Sequence, residues 1–102
     1  MKLIRVGAAV LNQTPLEWHG NARRIREAVA EARRQGVSIL CLPELCISGY
    51  NCEDAFLSRS VSATAVEVLQ ELVPDTTGMV VSFGLPVVYR NAIFNAACLV
   101  AD

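Results

Sequence analysis

The residue best placed to do chemistry in this chain is Glu44. It closes an apolar run in "CLPELCISGYNCED" (41–54), where it shares fourteen residues with Tyr50 and three cysteines. A carboxylate just past an apolar run either bonds to its own loop or acts as a general base. The second role is worth about a hundred- to ten-thousand-fold in rate where it operates. Leu42, Leu45, Ile47 and Tyr50 flank Glu44. Packed around it, they would take the carboxylate partly out of water and make it a stronger base. Tyr50 follows six residues on, after Gly49. It either lines a pocket with its hydroxyl or fills the local core. Glu53 and Asp54 are expected to start a helical turn or face solvent.

The cysteines suggest less. Cys41, Cys46 and Cys52 are spaced C-x4-C-x5-C. Structural zinc sites favour pairs two to four residues apart with histidine or cysteine completing the set, so no metal site is expected. His19, the only histidine, is expected as a surface residue at a helix end and not as the partner of a nucleophilic thiol. There is no C-x-x-C redox pair. Cys46 could be an exposed thiol in the loop or a packed one, and is not expected to take a catalytic part. Cys41 and Cys98 lie inside apolar runs and are expected as reduced, buried thiols.

The elements that must position Glu44 follow from the hydrophobic pattern. "LIRVGAAVL" (3–11) reads as a buried strand. Thr14 as N-cap, Pro15 at the first helical position and Glu17 three after the cap form a capping-box pattern. Trp18, Ala22, Ile25, Val29 and Ala32 then fall on one helical face, and Gly36 stops the helix. "VSILCLP" (37–43) is a second strand closed by Pro43. Residues 44–60 are irregular. A second helix opens at Ser62 or Thr64, buries Val61, Ala65, Val68, Leu69 and Leu72, and ends at Pro74. "MVVSFGLPVVY" and "AIFNAACLVA" read as two strands joined tightly at "RN", with Pro86 marking a weak point, an edge or a bulge. The order β-α-β-α-β-β predicts a mostly parallel α/β sheet. Such sheets display their reactive groups just past the carboxyl ends of strands, which is where Glu44 falls.

Composition narrows the classes. A chain of 102 residues, 53% hydrophobic with net charge −1, makes at most one domain and has no electrostatic footprint for nucleic acid. Arg23, Arg24, Arg26, Arg33 and Arg34 share a segment with Glu27 and Glu31 and read as the wet face of a helix. No apolar run reaches the ~18 residues of a membrane span. The opening "MKLIRVGAAVLNQ" lacks a secretory pattern, so a cytoplasmic protein is expected.

At this point a resemblance enters. "LCLPELCISGYNCEDAFL" resembles the glutamate-bearing segment of the nitrilase, or carbon–nitrogen hydrolase, superfamily. The helix after "NQT" and the "GLPVVYRNAIFNAA" hairpin extend that likeness over nearly the whole chain. Within the superfamily it is most similar to the glutaminase domains of glutamine-dependent NAD synthetases. The resemblance implies a four-layer α-β-β-α sandwich and a Glu-Lys-Cys triad. The cysteine attacks an amide carbon, the glutamate is general base and the lysine stabilises the oxyanion. By matching positions, Glu44 takes the base role and Tyr50 lines the amide pocket. It further implies glutamine as substrate, with ammonia passed to a second domain that uses ATP and magnesium to amidate deamido-NAD.

The chain departs from that pattern at the lysine and at the cysteine. Its only lysine is Lys2, at the start of the first strand, and none of its four cysteines matches the family nucleophile. Residues 1–102 are therefore expected to be an incomplete N-terminal portion of such a domain, inactive alone, with an uncovered sheet face that drives homo-oligomerisation. Two other readings stay open: an amidase of the same superfamily acting on a small amide or carbamoyl substrate, and a non-catalytic α/β interaction module in which Glu44 is structural.

Overall fold

The two apolar runs form strands shorter than their sequence extent. In the computed structural model, which describes residues 2–101 and leaves Met1 and Asp102 outside the described residues, β1 is Val6–Ala8 and β2 is Ile39–Cys41. They pair in parallel, with Val6 opposite Ile39 and Ala8 opposite Cys41. Backbone bonds continue past the ends: the Ser38 amide donates to Arg5 O at 2.7 Å and the Ala9 amide to Cys41 O at 3.0 Å. Between them runs α1, Trp18–Arg34, which buries Ala22, Ile25, Val29 and Ala32 as the spacing predicts. Its start corrects the capping-box expectation. Glu17 occupies the N-cap without a side-chain capping bond. Leu16 sits in a turn at φ +59°, and both backbone groups of Thr14 bond to Asn21 instead.

The irregular stretch contains a short 3-10 helix, Glu53–Leu57, with Glu53 and Asp54 both exposed. α2 spans Arg59–Leu72 and begins earlier than expected. Ser62 lies inside its first turn because its hydroxyl donates back to Arg59 O at 3.2 Å, so it needs no capping position. A 3-10 turn at Val73–Thr76 ends the helix around Pro74. β3 (Val80–Tyr89) and β4 (Ala92–Val100) form an antiparallel hairpin. Arg90 and Asn91 both have positive φ, +48° and +62°, the requirement of a two-residue turn whose twist matches the strands.

The sheet order is β1-β2-β3-β4, with β1, β2 and β3 parallel. Two crossovers stepping in the same direction put both helices on one face. There Ile25 and Val29 of α1 and Ala65, Val68 and Leu72 of α2 meet Leu40, Val81, Phe83 and Leu85. β3 passes through Pro86 without a break. Its even-numbered residues send backbone groups toward β2, as Ser82 O does to the Leu42 amide at 3.0 Å. The missing Pro86 N–H therefore removes no bond from the β3–β4 ladder. The fold is mixed α/β, one helical layer on one four-stranded sheet, and the opposite sheet face stands open, with Val6, Ile39, Cys41 and Leu99 exposed on it.

Candidate active site

Glu44 is carried by a turn pressed onto the sheet. The Leu42 amide extends the β2–β3 pairing, and Pro43, which has no N–H, ends it. The chain then crosses Gly84 of β3. A Cβ at Gly84 would lie 2.4 Å from Leu45 N, 2.6 Å from Pro43 O and 2.9 Å from Glu44 C, so only glycine admits this approach. The Ile47 amide donates to Gly84 O at 3.2 Å. Leu45 adopts φ +51°, a conformation that costs a branched residue of order 1–3 kcal/mol and persists only where its surroundings enforce it.

A polar latch holds the far side of the turn. Asn21 of α1 is fully buried. Its Nδ2 donates to Thr14 O at 2.8 Å and Ile47 O at 3.2 Å, and its Oδ1 accepts from the Thr14 amide and from Arg24. Gln13 donates to Cys46 O at 2.7 Å and accepts from Arg24 Nε at 2.8 Å. The Leu16 amide donates to Ser48 O at 2.8 Å. Three successive carbonyls after Leu45 are thus fixed by the segment ahead of and within α1. Arg24 departs from the expected wet face: it is half-buried in this latch, whereas Arg23, Arg26, Arg33 and Arg34 are exposed.

The Glu44 carboxylate projects at the rim of a cavity of about 340 Å³ on the open sheet face. Its lining includes Cys41, Ser82, Gly84, Asn95 and Ala97, small side chains that leave the floor low. Both carboxylate oxygens bond to side chains. Tyr50 Oη donates to Oε2 at 2.8 Å, and Asn95 Nδ2 of β4 donates to Oε1. Binding to Glu44 in turn raises the Tyr50 phenol above its ordinary range, because the bond favours the protonated donor. The structure brings Glu44 and Tyr50 together. It does not form the apolar wall expected around Glu44. Leu42 and Ile47 point into the core, and the carboxylate is exposed.

The cysteines are redistributed. Cys46, whose sequence left exposure and packing both open, is buried, and desolvation pushes its thiol up to about 11. Burial also raises Cys52. Neither thiol supplies a thiolate near neutral pH. Cys41, expected inside, is exposed on the open face, and Cys98 is half-buried. His19 is exposed in the first turn of α1. Lys2 precedes β1, at the opposite end of a parallel pair from Glu44. Sequence reasoning missed Gly84, Asn21 and Asn95. The available signals were a glycine inside a strand, an asparagine in a helix interior and an asparagine within an otherwise apolar strand.

The sequence profile of the carbon–nitrogen hydrolase family matches residues 5–102. The chain belongs to that family. Among similar proteins, this carbon–nitrogen hydrolase segment is 35% identical to a glutamine-dependent NAD(+) synthetase of Oryza sativa subsp. indica, over 93% of this chain and 13% of that protein. The crystal structure of a glutamine-dependent NAD(+) synthetase from Cytophaga hutchinsonii superposes with a TM-score of 0.93 at 47% identity, over 95% of this chain and 17% of that one. An amidase from Nesterenkonia sp. superposes with a TM-score of 0.71 at 28% identity, over 81% of this chain and 32% of that one. The chain therefore spans roughly a seventh of the length of the synthetases it resembles in sequence.

Proposed function

We propose that residues 1–102 are the opening portion of a glutaminase domain that feeds ammonia to a glutamine-dependent NAD synthetase, with Glu44 as general base and Tyr50 in the amide pocket. The observation that carries this reading is the Glu44 carboxylate itself, held on both oxygens by side chains at the rim of a cavity just past β2. Likeness to synthetases from several organisms supports the choice of substrate.

In this reading Glu44 takes the proton of a cysteine thiol supplied by polypeptide beyond these residues. The thiolate attacks the amide carbon of glutamine, and a lysine, also from beyond, stabilises the oxyanion. The C–N bond breaks, Glu44 returns the proton to the departing nitrogen and ammonia leaves. Water, deprotonated by Glu44, then cleaves the thioester to glutamate. Lys2 and the four cysteines present do not fill the missing roles, so the segment alone is inactive. Amidation of deamido-NAD, with ATP and magnesium, belongs to a further domain. The described residues do not fit a magnesium site, since no three His, Cys, Asp or Glu side chains among them converge. A small-amide amidase is the second reading, favoured by the Nesterenkonia likeness.

The test uses the full-length polypeptide. Glu44→Gln is expected to lower glutamine-driven NAD formation at least about a hundred-fold while ammonia-driven formation continues. Undiminished glutamine hydrolysis would remove Glu44 from the mechanism. Turnover of small aliphatic amides with no NAD formation from either nitrogen source would move the assignment to the amidase.

A further inference from the structure

We propose that Asn95 is the positioning residue of Glu44, the sheet-borne half of a two-donor clamp that fixes which way the carboxylate faces the cavity. The inference rests on the general-base reading of Glu44 and adds to it a residue with no role in that reading.

The two donors come from elements of different kinds. Tyr50 stands on the irregular segment after the Glu44 turn, whereas Asn95 stands in the middle of β4. The Arg90–Asn91 turn sets the hairpin register, which pairs Val88 with Ile93, Pro86 with Asn95 and Gly84 with Ala97. With a two-residue period, Ile93, Asn95, Ala97 and Leu99 share the open face. Asn95 is the polar member of that row. Its register also places it two ladder pairs beyond Gly84, on the same face, and Gly84 is the residue that lets the Glu44 backbone cross the strand. The same hairpin therefore seats the Glu44 main chain at Gly84 and holds its side chain at Asn95.

The bond is not a consequence of burial. Asn95 and Glu44 are both exposed, and water would satisfy either group. A carboxylate on a mobile side chain loses catalytic value through the orientations it samples. Asn95 on Oε1 and Tyr50 on Oε2 remove that freedom. Each oxygen keeps one further lone-pair direction, so the clamp orients the base without consuming its capacity to accept a proton.

In the full-length enzyme, Asn95→Ala is expected to lower kcat for glutamine hydrolysis about ten- to a hundred-fold, with KM within about two-fold of wild type. Asn95→Asp keeps the shape but replaces the donor with a carboxylate that repels Glu44, and is expected to lose at least as much. The melting midpoint of each variant is measured beside turnover, so that a loss of fold is separated from a loss of catalysis. Should one fail to fold, the other is read alone. An unchanged kcat in the folded variant, a raised KM with kcat intact, or an Asp variant as active as wild type would each overturn the inference. Glu44→Gln in the same assay separates the two claims. If it retains turnover, the general-base reading falls. If it loses turnover while Asn95→Ala does not, only the role of Asn95 falls.

Discussion

Gly84 is the residue on which the position of Glu44 depends most directly. A methyl group there would meet three backbone atoms of residues 43–45 within 2.9 Å, and backbone cannot rotate away as a side-chain tip can. Gly84→Ala therefore forces the Glu44 turn off the sheet. The overpacking is expected to cost about 1–3 kcal/mol of stability, read in the melting midpoint. On the general-base reading of Glu44, displacing it by an ångström is expected to lower glutamine turnover of the full-length polypeptide on the order of a hundred-fold. Gly7→Ala is the matched control. Its added carbon would meet Val37 side-chain atoms at 3.4 and 3.5 Å, contacts that a small shift accommodates, so activity should hold. Equal loss in both variants would mean that the crossing at Gly84 has no special part. Glu44 and Tyr50 were legible as single residues because a carboxylate after an apolar run and a tyrosine after a glycine are local signals. The contact at Gly84 was not, since forty residues separate it from Glu44 and only the β2–β3 register unites them.

At the scale of elements, the Glu44 turn is a wedge between β3 and the latch built on α1. Asn21 is the centre of that latch, with two donors and two acceptors satisfied inside the protein. Asn21→Leu matches its volume roughly but leaves the Thr14 amide, Ile47 O and part of Arg24 without their Asn21 partner, while Thr14 O keeps the Glu17 amide at 3.2 Å. Each buried orphan costs about 1–3 kcal/mol before relaxation. The expected net loss is about 2–4 kcal/mol, measured by chemical denaturation, with proteolytic cleavage rising first between residues 44 and 51. A variant as stable as wild type, with that segment equally protected, would show that the latch is dispensable. The apolar periodicity of α1 and of α2 was readable because it reports burial against a sheet. The hairpin was readable from "RN" between two apolar runs. The start of α1 was not. The capping box at Thr14 and Glu17 is a local preference worth about 1 kcal/mol, and the Thr14 backbone is claimed instead by a buried amide seven residues away. The place of Arg24 was obscured for the same reason: a charge pattern along a helix reports its average face, and one arginine recruited by a partner outside the helix leaves no trace in it.

The whole molecule has more surface than its mass predicts. Its accessible area is 6425 Å², against about 5600 Å² for a compact monomer of 11.0 kDa. The excess, roughly 800 Å², is close to what one partner contributes to a standard protein interface. The open sheet face contributes apolar area to it: Val6 is 64% exposed, Leu99 71% and Ile93 41%. β4 adds an edge of nine residues whose outward backbone groups can pair with another strand. A net charge of −1 supplies little repulsion. Residues 1–102 prepared alone are therefore expected to self-associate, with the weight-average mass from sedimentation velocity rising through the micromolar range. Leu99→Glu places a charge on the edge strand of that face and should shift the population back toward monomer. Asn91→Gly in the hairpin turn alters neither face nor edge and should leave association unchanged. A wild-type segment that stays monomeric at high concentration and melts in one cooperative transition would mean that the open face does not seek cover.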